Sequence, residues 1–278
     1  MYRTSIDKKI KRLRKILLNM ESVLLAYSGG VDSTLLLKVA NDVLKDRCLA
    51  VTVGTETYPK KRIKKAVNLA RNLDILRHKV IDMKILEVPG FVNNSENRCY
   101  LCKREIFQNL LDLAKDEGLR YVIEGTNYDD VSDFRPGIKA LEELKIRSPL
   151  KDAILTKGEI RYISREMDLS TWDKPPFTCL VSRIPYGVKI TLEALQMIDE
   201  AERLIHELGL RQVRVRHYGD LARIELNRNE IPWVFERGLN EKIVSRLKEL
   251  GYTYITIDLE GYRRGSMDIK LKEKGVSS

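Results

Sequence analysis

Long apolar runs are missing from this chain of 278 residues. Nothing approaches the ~20 consecutive apolar residues that a membrane-spanning helix needs, so an integral helical membrane protein is excluded. Cysteine is scarce, with Cys48, Cys99, Cys102 and Cys179 the only four, which excludes a small disulfide-stapled secreted scaffold. Histidine is scarcer: His78, His206 and His217 stand apart from one another, and none is assigned a role. There is no internal repeat and no low-complexity tract. The run from Asp7 to Leu18 lacks the apolar centre of a secretory signal and reads as a basic amphipathic helix, so a cytoplasmic address is expected. Acidic residues fall short of basic ones, 40 against 50, leaving a net charge of +10. A surface of that sign attracts polyanions, and nucleotides, pyrophosphate and RNA all qualify. With 32% charged and 43% hydrophobic residues the composition is that of a globular chain, long enough for one large domain or two smaller ones.

What is present centres on Ser22 to Thr34. Val23-Leu24-Leu25-Ala26 is an uninterrupted apolar stretch of the kind expected for a strand buried on both faces. Ser28-Gly29-Gly30 permits positive φ and close approach of another molecule to the main chain. Asp32, Ser33 and Thr34 are expected to cap the following helix, whose apolar face is supplied by Leu35, Leu36, Leu37, Val39 and Ala40. A glycine loop between a buried strand and a helix start aims main-chain N–H groups at an anion, and phosphate is the natural guest. The commoner Gly-x-x-x-x-Gly-Lys-Ser/Thr phosphate loop is excluded, because neither its spacing nor its lysine occurs here.

Along the chain, strands at Cys48–Val53, Leu76–Ile81 and Tyr121–Glu124 alternate with helices at Lys60–Asn72 and from the cysteine pair to about Glu117. That rhythm predicts an α/β fold with a doubly wound parallel sheet. Further helices are expected around Ala140–Leu144 and Lys157–Met167. Ser28-Gly29-Gly30 and Gly125-Thr126-Asn127 both follow strands, so both should wall one crevice beyond the strands' carboxyl ends. Prolines at Pro175 and Pro176 and the Pro185-Tyr186-Gly187 turn mark a boundary, giving domains 1–184 and 185–278. Beyond it a helix over 192–208, a hairpin turning at Gly219-Asp220, a helix over 231–250 broken near Gly238 and a strand over 254–259 predict a smaller α+β domain.

Cys48 lies in a predicted core strand and reads as a small hydrophobe. Cys99 and Cys102 form a C-x-x-C turn at a helix start, where two thiolates can face one metal and the helix terminus favours their ionised form. Cys179, in a later loop, is a candidate third ligand. Three thiolates make an incomplete tetrahedral set: a structural zinc would want a fourth protein ligand, whereas an iron–sulfur cluster would keep one iron open.

The Ser28-Gly29-Gly30-Val31-Asp32-Ser33 run resembles the signature of the PP-loop ATP pyrophosphatases. The runs Asn97–Lys103, Glu124–Asp130, Asp133–Gly137, Cys179–Gly187 and Val213–His217 narrow this, and together resemble the LarE family of ATP-dependent sulfur transferases. That resemblance implies adenylation of the carboxylates of pyridinium-3,5-biscarboxylic acid mononucleotide and their conversion to thiocarboxylates, on the route to the nickel-pincer nucleotide. It implies ATP on Ala26, Ser28, Gly29, Gly30, Asp32, Ser33, Val53, Gly125 and Thr126, with Mg²⁺ on Asp32 and Asp129. One branch of the family sacrifices a single cysteine matching Cys179. The presence of Cys99 and Cys102 points to the other, in which all three hold a four-iron four-sulfur cluster whose open iron carries an exogenous sulfide. Arg98, Lys103 and Arg183 flank the cysteines and are candidates to neutralise pyrophosphate or substrate acids. Arg214 and Arg216 alternate on one strand face and are candidates for a substrate phosphate. Inorganic sulfide or another sulfur donor and a homo-oligomeric partner are also implied. A tRNA thiolase of the same superfamily is the alternative, favoured by the positive charge and opposed by the lack of zinc-ribbon cysteine pairs. A nucleotide-binding module with a structural metal is the non-enzymatic reading.

Overall fold

Apolar residues recurring at helical spacing drive the first element, α1 (Tyr2–Met20), and Ile6, Leu13, Leu17 and Met20 are buried along one face of it. The computed structural model describes residues 2–132, 136–175, 178–263 and 265–267. They divide into two units, residues 1–88 with 99–177 and residues 89–98 with 178–278.

In the first unit β1 (Val23–Ala26) runs through α2 (Val31–Leu44) to β2 (Cys48–Thr55), and then through α3 (Lys60–Asn72) to β3 (His78–Met83). The chain returns through α4 (Arg98–Asp116) to β4 (Tyr121–Ile123) on the opposite side of β1. All pairings are parallel, in the order β3-β2-β1-β4, with Val23 opposite Cys48 on one side and Tyr121 on the other. Reversal of the winding direction puts the switch point between β1 and β4, so the ligand crevice of this doubly wound sheet belongs at their carboxyl ends. Val23, Leu24 and Leu25 are fully buried, which explains why β1 has no polar alternation.

After a 3-10 turn over Tyr128–Ser132, three α-helices follow β4: α5 (Pro136–Glu143), α6 (Pro149–Asp152) and α7 (Lys157–Glu166). Helix α5 starts at Pro136 rather than near Ala140, because the fixed φ of proline suits a first helical position. The residues just before it, Asp133-Phe134-Arg135, lie outside the described residues. Strand β3 begins at His78 rather than Leu76; it is the sheet edge, and Leu76 is left 61% exposed outside the ladder.

The second unit packs α8 (Leu192–Glu207), α9 (Ile231–Glu236) and α10 (Leu239–Glu249) with a three-stranded sheet of β5 (Val213–Tyr218), β6 (Leu221–Leu226) and β7 (Tyr254–Ile257). Strands β5 and β6 form the expected hairpin across Gly219-Asp220, with Gly219 at φ +71°, and β7 joins β6 in parallel. Gly238, at φ +61°, ends α9 and admits the break before α10. Among the described residues no helix is long and apolar enough to cross a membrane.

Candidate active site

The glycine loop forms a bare cradle. Helix α2 starts at Val31 with Gly30 as its N-cap, and no side chain caps the turn, so the expected capping by Asp32, Ser33 and Thr34 does not occur. Ser33 instead bonds backward: its Oγ accepts from the Ser28 N–H at 3.3 Å and lies 2.9 Å from Ser28 Oγ. First-turn N–H groups therefore remain open to an anion. Gly29 sits at φ +71°, and a Cβ there would come within 3.1 Å of the Ala66 Cβ on α3. Gly125, after β4, approaches even more closely, since its Cβ would meet the Ser33 nitrogen at 3.0 Å. Glycine at both positions lets two main-chain segments converge on one crevice. Ala26 and Val53, both half-buried, end β1 and line β2 on the same carboxyl side. Arg62 of α3 donates to the Ser28 carbonyl at 3.4 Å, and α3 carries no acid in its first turn, so the rim is basic.

Beyond β4 the chain locks onto Asp32. Buried Asn127 donates from Nδ2 to Asp32 Oδ1 at 3.3 Å and accepts the Asp129 N–H on its Oδ1 at 2.9 Å. Lys157, the first helical residue of α7, donates from Nζ to Asp32 Oδ2, while its main-chain N–H donates to Asp129 Oδ2 at 2.7 Å. The two carboxylates expected to serve Mg²⁺ are thus bonded to the same lysine, one through its ammonium and one through its backbone. Asp32 already accepts one cationic group, as a magnesium-binding carboxylate would. Thr126 is steadied by buried Glu124, whose carboxylate accepts from the Thr126 N–H at 3.0 Å, its hydroxyl at 2.9 Å and the Ser148 hydroxyl at 2.6 Å.

Cys99 stands in the first turn of α4 and Cys102 opens the second, exposed and half-buried respectively. Lys103 follows them, its stem packed over Gly137. Cys179, half-buried, belongs to the second unit, where it precedes a 3-10 turn over Leu180–Arg183. Among the described residues no three His, Cys, Asp or Glu side chains gather into a metal-holding group. Thiol donors as a class suit iron–sulfur centres or zinc and not a hard cation. Cys48 does not join them: burial pushes its thiol up to about 12.

The basic candidates are placed unequally. Arg183 is 2% exposed and forms a two-pronged pair with Glu202 at 2.9 Å on each prong, while its Nη1 donates to the Thr178 and Cys179 carbonyls at 3.1 and 2.8 Å. Burial opposes its charge, yet Glu202 holds its pKa above the ordinary value. Arg98 is also turned inward, donating to Asn94 Oδ1 and lying 3.9 Å from the Tyr186 ring centroid. Arg216 pairs with Glu225 at 2.6 Å and donates to the Ser182 carbonyl at 3.0 Å. Arg214 donates to the Val213 carbonyl at 2.7 Å and forms no ion pair among the described residues; burial, then the charge of Arg183, lowers its pKa.

Residues 5–98, which contain the glycine cradle, match the NAD synthase family. Pyridinium-3,5-bisthiocarboxylic acid mononucleotide synthase of Lactiplantibacillus plantarum is 35% identical over 94% of this chain and 94% of its own. The chain belongs to the LarE family. An uncharacterised protein of Synechocystis sp. is 40% identical over 95% of this chain and 98% of its own. Another, of Methanocaldococcus jannaschii, is 30% identical over 92% and 96%. For a LarE-family chain with this cradle, sequence reasoning placed Asn127 at the crevice wall but missed Lys157, Glu202 and Asn94 as contributors. A signal existed for Lys157: Thr156 and Glu159 form a capping box, which fixes where α7 begins and therefore where that lysine stands.

Proposed function

We propose that this protein is an ATP- and Mg²⁺-dependent adenylating sulfur transferase acting on the carboxylates of pyridinium-3,5-biscarboxylic acid mononucleotide. The full-length likeness to the Lactiplantibacillus plantarum synthase carries the reading, and the uncapped glycine cradle supports it. ATP lies with its outer phosphates on Ser28 to Ser33 and its adenosine toward Gly125 and Thr126. A substrate carboxylate oxygen attacks the α-phosphorus, the bond to the β-phosphate oxygen breaks, and pyrophosphate leaves. Open N–H groups at α2 and the basic rim take up the charge that develops on it. Sulfide then attacks the acyl carbon, the acyl–oxygen bond breaks, and AMP departs with that oxygen. Cys99, Cys102 and Cys179 would hold a four-iron four-sulfur cluster, which would supply that sulfur. Arg183 works as a positioning residue for the Cys179 loop, since its guanidinium is already committed to that loop's carbonyls.

Anaerobically reconstituted protein, incubated with ATP, sulfide and the dicarboxylate nucleotide, should release pyrophosphate and AMP and give a product with oxygen-to-sulfur exchange by mass spectrometry. Cys99→Ala, Cys102→Ala and Cys179→Ala should each lose the visible absorbance of the reconstituted protein, and Cys48→Ala should keep it. Pyrophosphate release without exchange would remove the transfer step. Salt-dependent tRNA binding with no reaction of the nucleotide would replace the substrate.

A further inference from the structure

Both carboxylate oxygens of Asp32 already accept a hydrogen bond. Oδ1 accepts the Asn127 amide at 3.3 Å and Oδ2 accepts the Lys157 ammonium, so a divalent cation approaching Oδ2 is opposed by the charge of that ammonium. The lysine's main chain cannot move away. Its N–H is held by Asp129 at 2.7 Å, and its helix start is fixed by the Thr156–Glu159 capping box. What can move is the flexible four-carbon stem, and the lysine side chain is 34% exposed. The anion best placed to draw the ammonium away is a polyphosphate on the cradle, because that cradle begins the same helix that carries Asp32.

We propose that Lys157 occupies the divalent-cation position on Asp32 until nucleotide arrives, so that metal enters only together with the triphosphate, to which the ammonium transfers. This rests on reading the glycine loop as an ATP site. A bare metal meets a like charge at Oδ2, whereas metal arriving with ATP brings the ammonium a new partner. Lys157 is in these terms a positioning residue that sets the order of binding.

Manganese binding to the full chain, followed by electron paramagnetic resonance with and without α,β-methylene-ATP, tests this. Wild type should bind Mn²⁺ weakly alone and tightly with the analogue. Lys157→Met, or Lys157→Gln should the first fold poorly, should bind Mn²⁺ without nucleotide about tenfold or more tighter than wild type. The gain should vanish on adding Asp32→Asn. Lys157→Arg, which keeps the charge, should behave as wild type. Equal nucleotide-free affinity in wild type and Lys157→Met, with both still binding the analogue, would overturn the proposal, as would a wild type indifferent to the analogue it binds. Failure of every form to bind the analogue would instead remove the ATP reading beneath it.

Discussion

Arg183 and Glu202 form a buried pair at 2% and 9% side-chain exposure, with little water to screen it. Replacing the arginine by methionine would leave Glu202 charged and buried, with the Val215 N–H at 3.0 Å as its remaining partner in this group. Breaking a buried pair from one side costs about 3–5 kcal/mol. Urea slopes for small proteins are about 1–3 kcal/mol/M, so the middle of both ranges lowers the unfolding midpoint by about 2 M. Trp233 lies in the second unit and Trp172 in the first, so a Trp172→Phe background makes fluorescence report the unit that holds the pair. Arg183→Met/Glu202→Gln should recover part of the loss, because no charge then stays uncompensated. The Thr178 carbonyl, which loses the Arg183 donor, keeps it below wild type, by about 1–3 kcal/mol, while the Cys179 carbonyl retains the Ser182 N–H and hydroxyl. Both variants should also let iodoacetamide reach Cys179 faster than in wild type. A single mutant within about 1 kcal/mol of wild type would refute the idea that this pair anchors the loop.

Gly125→Ala should keep the fold and weaken ATP binding roughly tenfold to a hundredfold in equilibrium dialysis, since its Cβ presses on main-chain atoms of Ser33 that cannot swing aside. Unchanged affinity would mean that this close approach does not shape the cradle. Glu159 supplies a pH test. Burial raises its pKa, but Lys9 and the Thr156 N–H and hydroxyl outweigh that and leave it below the ordinary value. A depressed carboxyl contributes stability that is fully present above its unfolded pKa, about 4.3, and is lost as the pH falls through the folded value. Urea unfolding at descending pH should therefore show a smaller acid loss in Glu159→Gln than in wild type, and equal losses would count against the ion pair.

Much of the fold was legible because local pattern and tertiary environment agree. Val23 to Ala26 has no polar residue to mislead, and it is the strand buried on both faces. Gly219-Asp220 could make only a tight turn. Strand β3 was displaced by two residues because Leu76 is apolar yet exposed beyond an edge strand, where burial no longer enforces hydrophobic pattern. Side-chain capping was misjudged at Asp32 to Thr34 because composition cannot say whether a hydroxyl turns forward to the helix or back to the loop. Ser33 turns back.

By itself, then, the order of residues determined the parallel sheet, the glycine cradle and the family, since each is announced by a local pattern or by a run read as a unit. The partners of the charged groups were decided only by the tertiary structure. Lys157 meets Asp32 across 125 positions and Glu202 meets Arg183 from another helix, and an ion pair between distant segments leaves no periodic trace in the chain. The same physics turned Arg98 and Arg183 inward: a guanidinium with five donors is stable in a buried place once folding brings carbonyls and a carboxylate or amide oxygen around it.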